Sequence, residues 1–108
     1  MYLPPIDVCE GPNDVVILIE VPGVDTKDVQ ISWKDSVLTI SGNKRPQSDA
    51  IGAKYVCVER NYGPFRREIA IGIPIDHRMA KAELREGLMR IRLPKLGAEM
   101  SRNTIPIE

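Results

Sequence analysis

From Asp14 to Val21 the chain is apolar and β-branched, with Val15, Ile17, Ile19 and Val21 on one parity and Val16, Leu18 and Glu20 on the other. Side chains of an extended chain alternate between faces, so this segment predicts a buried strand. Pro22-Gly23 ends it as a turn pair, and Asp25 to Asp28 predicts one helical turn before alternation resumes at Val29, Ile31 and Trp33. Lys34-Asp35-Ser36 predicts the next turn, and Val37 to Ser41 a short strand closed by Gly42. The stretch from Asn43 to Ala53 is polar, holds Pro46 and Gly52 and has no period, so it predicts a long loop. Strand character returns in Tyr55 to Glu59. Asn61-Tyr62-Gly63-Pro64 then turns the chain into Phe65, Arg67, Ile69, Ile71 and Ile73, an unbroken period of two that Pro74 stops. Ala80, Ala82 and Leu84 alternate with Lys81, Glu83 and Arg85, Glu86-Gly87 turns, and Met89, Ile91 and Leu93 alternate with Leu88, Arg90 and Arg92 up to Pro94. Helical periodicity is absent throughout. Seven or eight short strands, punctuated by Gly and Pro at roughly 8–12 residue spacing, predict an all-β, antiparallel β-sandwich.

Two segments fit poorly inside one such domain. The last five residues, Thr104 to Glu108, put Ile105 and Ile107 on one face of an extended piece, while Pro106 between them disfavours helix and central-strand membership. This tail reads as an edge ligand for a groove on a neighbouring subunit, reached across the mostly polar stretch from Lys95 to Asn103. The alternative is that Ile105 to Ile107 forms the last strand of the chain's own sheet. The loop from Asn43 to Ala53 is long for a compact domain, and the strand at its end either pairs with an edge strand of a partner or closes an ordinary surface hairpin.

Composition narrows the classes of function. The 108 residues make one domain. Fifteen basic and fifteen acidic side chains give a formal charge of zero, so no overall field draws nucleic acid or an anionic membrane, and a barrier to self-association is removed. No apolar run approaches the roughly 20 residues of a membrane span, and Met1 to Pro5 lacks the features of a signal peptide; the expected location is the cytoplasm. Cys9 and Cys57, the two cysteines, form neither a disulfide framework nor metal-ligand spacing and read as reduced core or surface residues.

Candidate chemistry is sparse. His77, the one histidine, follows Asp76 in a polar turn, with no second imidazole for a metal and no nucleophile to serve. No glycine-rich phosphate loop occurs, and the carboxylates sit in turns or alternate with basic residues. An enzyme is not expected, nor is a cofactor or metal. The mixed cluster of Arg60, Arg66 and Arg67 with Glu59 and Glu68 makes a poor nucleic-acid patch, because its acidic members cancel its field. It reads as inter-subunit ion pairing or as a solvated face, and arginine's planar fork suits the former in register and partner choice.

The motifs resemble those of the small heat shock protein family and its α-crystallin domain in the bacterial and plant style. The resemblance covers nearly the whole chain and is carried by Pro5-Ile6-Asp7-Val8 with Glu10, Glu20-Val21-Pro22-Gly23-Val24, Asp28-Val29-Gln30-Ile31, Leu38-Thr39-Ile40-Ser41-Gly42 and Val58 to Arg67. The family's Ala-x-x-x-x-Gly-Val-Leu signature stands here as Ala82-Glu83-Leu84-Arg85-Glu86-Gly87-Leu88-Met89, with Leu88 and Met89 as conservative departures, and its Ile-x-Ile tail as Ile105-Pro106-Ile107. The resemblance implies an immunoglobulin-like α-crystallin domain over residues 1–94 and a C-terminal extension over 95–108. It implies ATP-independent holdase activity toward non-native client proteins.

It also implies a homodimer by strand exchange, in which Lys54 to Arg60 (Tyr55, Val56, Cys57, Val58, Glu59 and Arg60 in the interface) pairs with the partner's edge near Ile6 to Cys9, with Ile6 and Val8 in the contact and Arg67 supporting it beside Arg66 and Glu68. Higher oligomers would form as the tail fills a groove lined by Val29, Ile31, Ala82 and Leu84. Two departures stand out. Gly72 occupies a position where many relatives have proline, and barely a few residues precede the domain where relatives carry a variable arm, so a shortened chain is expected. A p23-like co-chaperone or adaptor sandwich that binds a folded partner is the alternative, and the Ile-x-Ile tail argues against it.

Overall fold

The computed structural model describes residues 3–46 and 52–97. The expected tail contact of Ile105, Pro106 and Ile107 and part of the expected loop lie outside them. Among the described residues seven strands form two antiparallel sheets: β1 (Ile6–Glu10), β2 (Asp14–Glu20), β3 (Val29–Lys34), β4 (Val37–Lys44), β5 (Gly63–Ala70), β6 (Lys81–Arg85) and β7 (Leu88–Pro94). Sheet one has the order β1-β2-β7-β6 and sheet two β3-β4-β5. Single 3-10 turns occur at Thr26–Asp28 and His77–Met79. The antiparallel β-sandwich expected from the alternation is the observed architecture.

The core lies where the parities predict it. Val15, Ile17 and Ile19 of β2 face Met89, Ile91 and Leu93 of β7, and Leu38, Ile40 and Phe65 close the core from the second sheet. Each such side chain contributes on the order of 1.5–3 kcal/mol when fully removed from water. The β3–β4 hairpin turns through Asp35 (φ 52°) and Ser36 (φ 64°), and the β6–β7 hairpin through Glu86 (φ 53°) and Gly87 (φ 78°). Positive φ at both central residues is the turn whose twist matches that of the strands it joins.

Two strand boundaries differ from those expected, and contacts with the body continue past Pro94. Gly42 does not close β4, which runs on to Lys44. Gly42 lies opposite Phe65 across the β4–β5 ladder, and a Cβ there would fall 2.6 Å from the Phe65 ring and 2.5 Å from the Asp28 carbonyl oxygen. The glycine is a close-approach site under a buried ring. β5 ends at Ala70 although Ile71 and Ile73 continue its alternation, because Ala70 already pairs with Val37, the first residue of β4; Ile71 N–H then bonds the Ser36 carbonyl at 2.9 Å. The body extends past Pro94: Lys95 N–H donates to the Asn13 carbonyl at 2.8 Å, Leu96 N–H to that of Pro74 at 2.9 Å, and Lys95 Nζ to Glu10 at 2.8 Å.

Candidate functional site

A sandwich of two open sheets has four edge strands, here β1, β6, β3 and β5. Two surfaces built on these edges collect the site residues expected from the sequence. The first is a cleft of about 340 Å³ between β3 and β6, lined by Ile31, Ser32, Trp33, Leu38, His77, Ala80, Lys81, Ala82, Ile91 and Leu93. That volume is at the lower end of small-ligand sites, and the wall is mostly apolar with a few polar groups at its rim. The cleft brings together Ile31 and Ala82 of the four expected lining residues. Val29 and Leu84 do not line it; both are partly buried and pack against the core. Trp33 shares a face with Ile31 and was within reach of the same alternation. Leu38, Ile91 and Leu93 come from the core of both sheets, which no single segment reveals.

The second surface is the opposite flank, where β1 and β5 are the edges. Arg67 Nη1 of β5 donates to the carbonyl of Pro4 at 3.1 Å, tying the two sheets together just ahead of β1. Among the described residues β1 pairs only with β2, in the register Ile6↔Ile19, Val8↔Ile17 and Cys9↔Val16. Ile6 packs against the core, while Val8, on the same face, is 47% exposed. Residues 53–62, which include the strand-like Tyr55 to Glu59, join neither sheet of this chain. Their apolar members stand in solvent: Val56 is 94% exposed, Val58 56% and Tyr55 52%. An exposed apolar segment and an unpaired strand edge are each what soluble monomers avoid.

Arg60, Arg66 and Arg67 of this flank all find partners within the chain. Arg66 pairs with Glu68 at 2.8 Å. The Arg60 guanidinium lies 5.3 Å from the centre of the Tyr62 ring and donates to its hydroxyl at 3.2 Å. Exposed contacts of this kind add little stability. Both cysteines are free and exposed. Among the described residues no group of three or more His, Cys, Asp or Glu could hold a metal ion, and no helix is long and apolar enough to cross a membrane.

A model described as "Hsp20/alpha crystallin family" matches residues 7–108. The chain belongs to the Hsp20/alpha crystallin family. Heat shock protein 16 of Schizosaccharomyces pombe is 36% identical over 108 residues, covering 97% of this chain and 75% of its own length. Small heat shock protein C2 of Rickettsia felis is 31% identical over 93 residues, covering 86% of this chain, which spans only 60% of that relative. The solved structure of heat shock protein 16.0 from Schizosaccharomyces pombe superposes with a TM-score of 0.84 at 33% identity over 100% of both chains. Hsp20 proteins are ATP-independent, non-enzymatic chaperones, and small heat shock protein homologues form oligomers.

Proposed function

We propose that this Hsp20 chain is itself a holdase, which captures partly unfolded proteins through apolar surface and keeps them soluble without ATP. The observation that carries the reading is the exposed apolar surface of the chain, the cleft beside β3 and the valine-rich segment from Tyr55 to Val58. Such surface suits extended apolar segments rather than a small substrate. The test is light scattering of a thermally aggregating client protein without ATP. Scattering falls as the chain is added, in proportion to its amount. Unchanged scattering at large molar excess, both with this chain and with one carrying an arm of the relatives' length, would overturn the reading.

Its assembly follows from the same surfaces. Tyr55 to Arg60 pairs with the partner's β1 edge near Ile6 and Val8, giving a homodimer by strand exchange, with Arg66 and Arg67 beside the contact. The extension's Ile105, Pro106 and Ile107 occupy the cleft of a neighbouring dimer. Two isoleucines gain at most on the order of 3–6 kcal/mol by burial, before association and ordering are subtracted, so larger assemblies need several tails acting together. Replacing Ile105 and Ile107 by alanine therefore leaves the dimer and dissolves anything larger. Sedimentation decides; an unchanged size distribution would make the tail a strand of its own domain. Two exposed free thiols fit a reducing compartment, the cytoplasm.

A further inference from the structure

We infer that Cys9 of one protomer and Cys57 of the other are an inter-subunit thiol pair, which a low-molecular-weight disulfide oxidises to a cystine that locks the dimer covalently. The inference rests on the strand-exchange reading above and adds to it a site of covalent modification. Within one chain both thiols are free and exposed, one on the open edge of β1, the other in a segment that joins neither sheet.

Parity puts both thiols on one face of the shared sheet. Along β1, Ile6 and Val8 lie opposite the fully buried Ile19 and Ile17 and so point inward, whereas Cys9 lies opposite the half-buried Val16 and points outward. If the exchanged segment is to bury anything, Val56 and Val58 must point inward beside them. Cys57, between the two valines, then points outward like Cys9.

Register is set by the same apolar demand. Val8 is the exposed inward residue of β1. Setting it against Val58 in an antiparallel pair, or against Val56 in a parallel one, places Cys57 directly across from Cys9 in either case. Opposed residues on adjacent strands have Cα atoms about 4.5–5.5 Å apart, within the roughly 4.4–6.8 Å a disulfide spans. A slip of two residues would set Tyr55 or Glu59 against Cys9 and no bond could close, so the bond reports the register.

The chemistry balances as thiol–disulfide exchange. A thiolate, Cys57 or Cys9, attacks oxidised glutathione, forms a mixed disulfide and releases one glutathione. The facing thiolate then displaces the second, so two protein thiols become one cystine while one glutathione disulfide becomes two thiols. Two-fold symmetry gives two such bonds per dimer. Cystines of intracellular proteins are typically reversible and redox-sensing, which suits a link that reduced glutathione reopens.

The experiment treats the full chain with oxidised glutathione and reads non-reducing electrophoresis, with mass spectrometry of the joined peptides. A covalent dimer carrying a Cys9–Cys57 peptide is expected. Cys9→Ser and Cys57→Ser, each alone, lose it, and mixing the two variants restores a dimer joined by a single bond. A covalent dimer that survives in either single variant would overturn the pairing, as would glutathionylated chains without any cross-link while light scattering of the reduced protein still shows a dimer. A reduced protein that is monomeric by light scattering would overturn strand exchange as well, which separates the two failures.

Discussion

Substituting alanine for Gly42 is expected to destabilise the domain by about 3 kcal/mol and to lower its melting temperature by roughly 12 °C or more. The added methyl has nowhere to go. Its carbon would stand 2.6 Å from Phe65 Cζ, a ring that is 2% exposed, and 2.5 Å from the Asp28 carbonyl oxygen, a backbone atom that moves only if the turn before β3 moves with it. Overpacking of a filled core ordinarily costs about 1–3 kcal/mol, and a clash with backbone puts this site at the upper end. Gly72→Ala is the control, because a Cβ there meets nothing within 4 Å. It should be neutral or slightly stabilising through the unfolded chain. Thermal unfolding followed by circular dichroism measures both. Equal melting temperatures for the two variants would mean that the ring and the turn yield easily. Shortening Phe65 to leucine in the Gly42→Ala background should recover part of the loss, as neighbouring sites that share a contact are not additive.

Changing Val56 and Val58 together to aspartate is expected to weaken dimerisation on the order of 10³-fold and to leave the single domain almost as stable as before. The two effects separate because both valines are exposed within one chain, at 94% and 56%. Exposed substitutions usually alter stability by less than about 0.5 kcal/mol. In the proposed exchanged dimer the same side chains would turn inward beside Ile6 and Val8. Losing two valine burials of about 1.5–3 kcal/mol each removes roughly 4 kcal/mol from association, about three decades in affinity. Mass from light scattering over a dilution series, read beside the melting curve, tests both halves. A dimer that persists at wild-type affinity would place the contact elsewhere. A monomer that melts far lower would mean that the segment packs on its own body.

Alternation alone located most of the sandwich. Val15, Ile17, Ile19 and Val21 are all buried, as are Met89, Ile91 and Leu93, because a strand between two neighbours shows its parity to one core. The turns at Asp35-Ser36 and Glu86-Gly87 were equally plain, since Asp35 and Gly87 are residue types that tolerate the positive φ found there. Strand ends were less legible for a pairwise reason. β5 stops where its partner β4 begins, and Gly42 reads as a terminator until Phe65 is found facing it across the ladder. Neither fact is local to the segment concerned.

The candidate site divides in the same way. The resemblance implied a groove between the strands of Val29 and Ala82; the cleft found between β3 and β6 is lined by Ile31 and Ala82 of the four residues named for it. Val29 and Leu84 alternate correctly but pack against the core instead of the opening. Tyr55 to Glu59 has the composition of a strand without a ladder in this chain. Strand propensity describes fitness for a pleated, half-buried surface, and within a single chain that surface is missing.

The two open flanks lie on opposite sides of the sandwich, with β1 and β5 at one and β3 and β6 at the other. Engagement through one therefore leaves the other vacant. On the proposed assembly, a pair of chains joined along the first flank would still present two sockets, so growth would proceed by whole pairs and the wiring between them could loosen while each pair stays intact. Heat that first breaks the weaker, tail-held joints would uncover sockets before it unravels a single sandwich, turning a storage form into its working units.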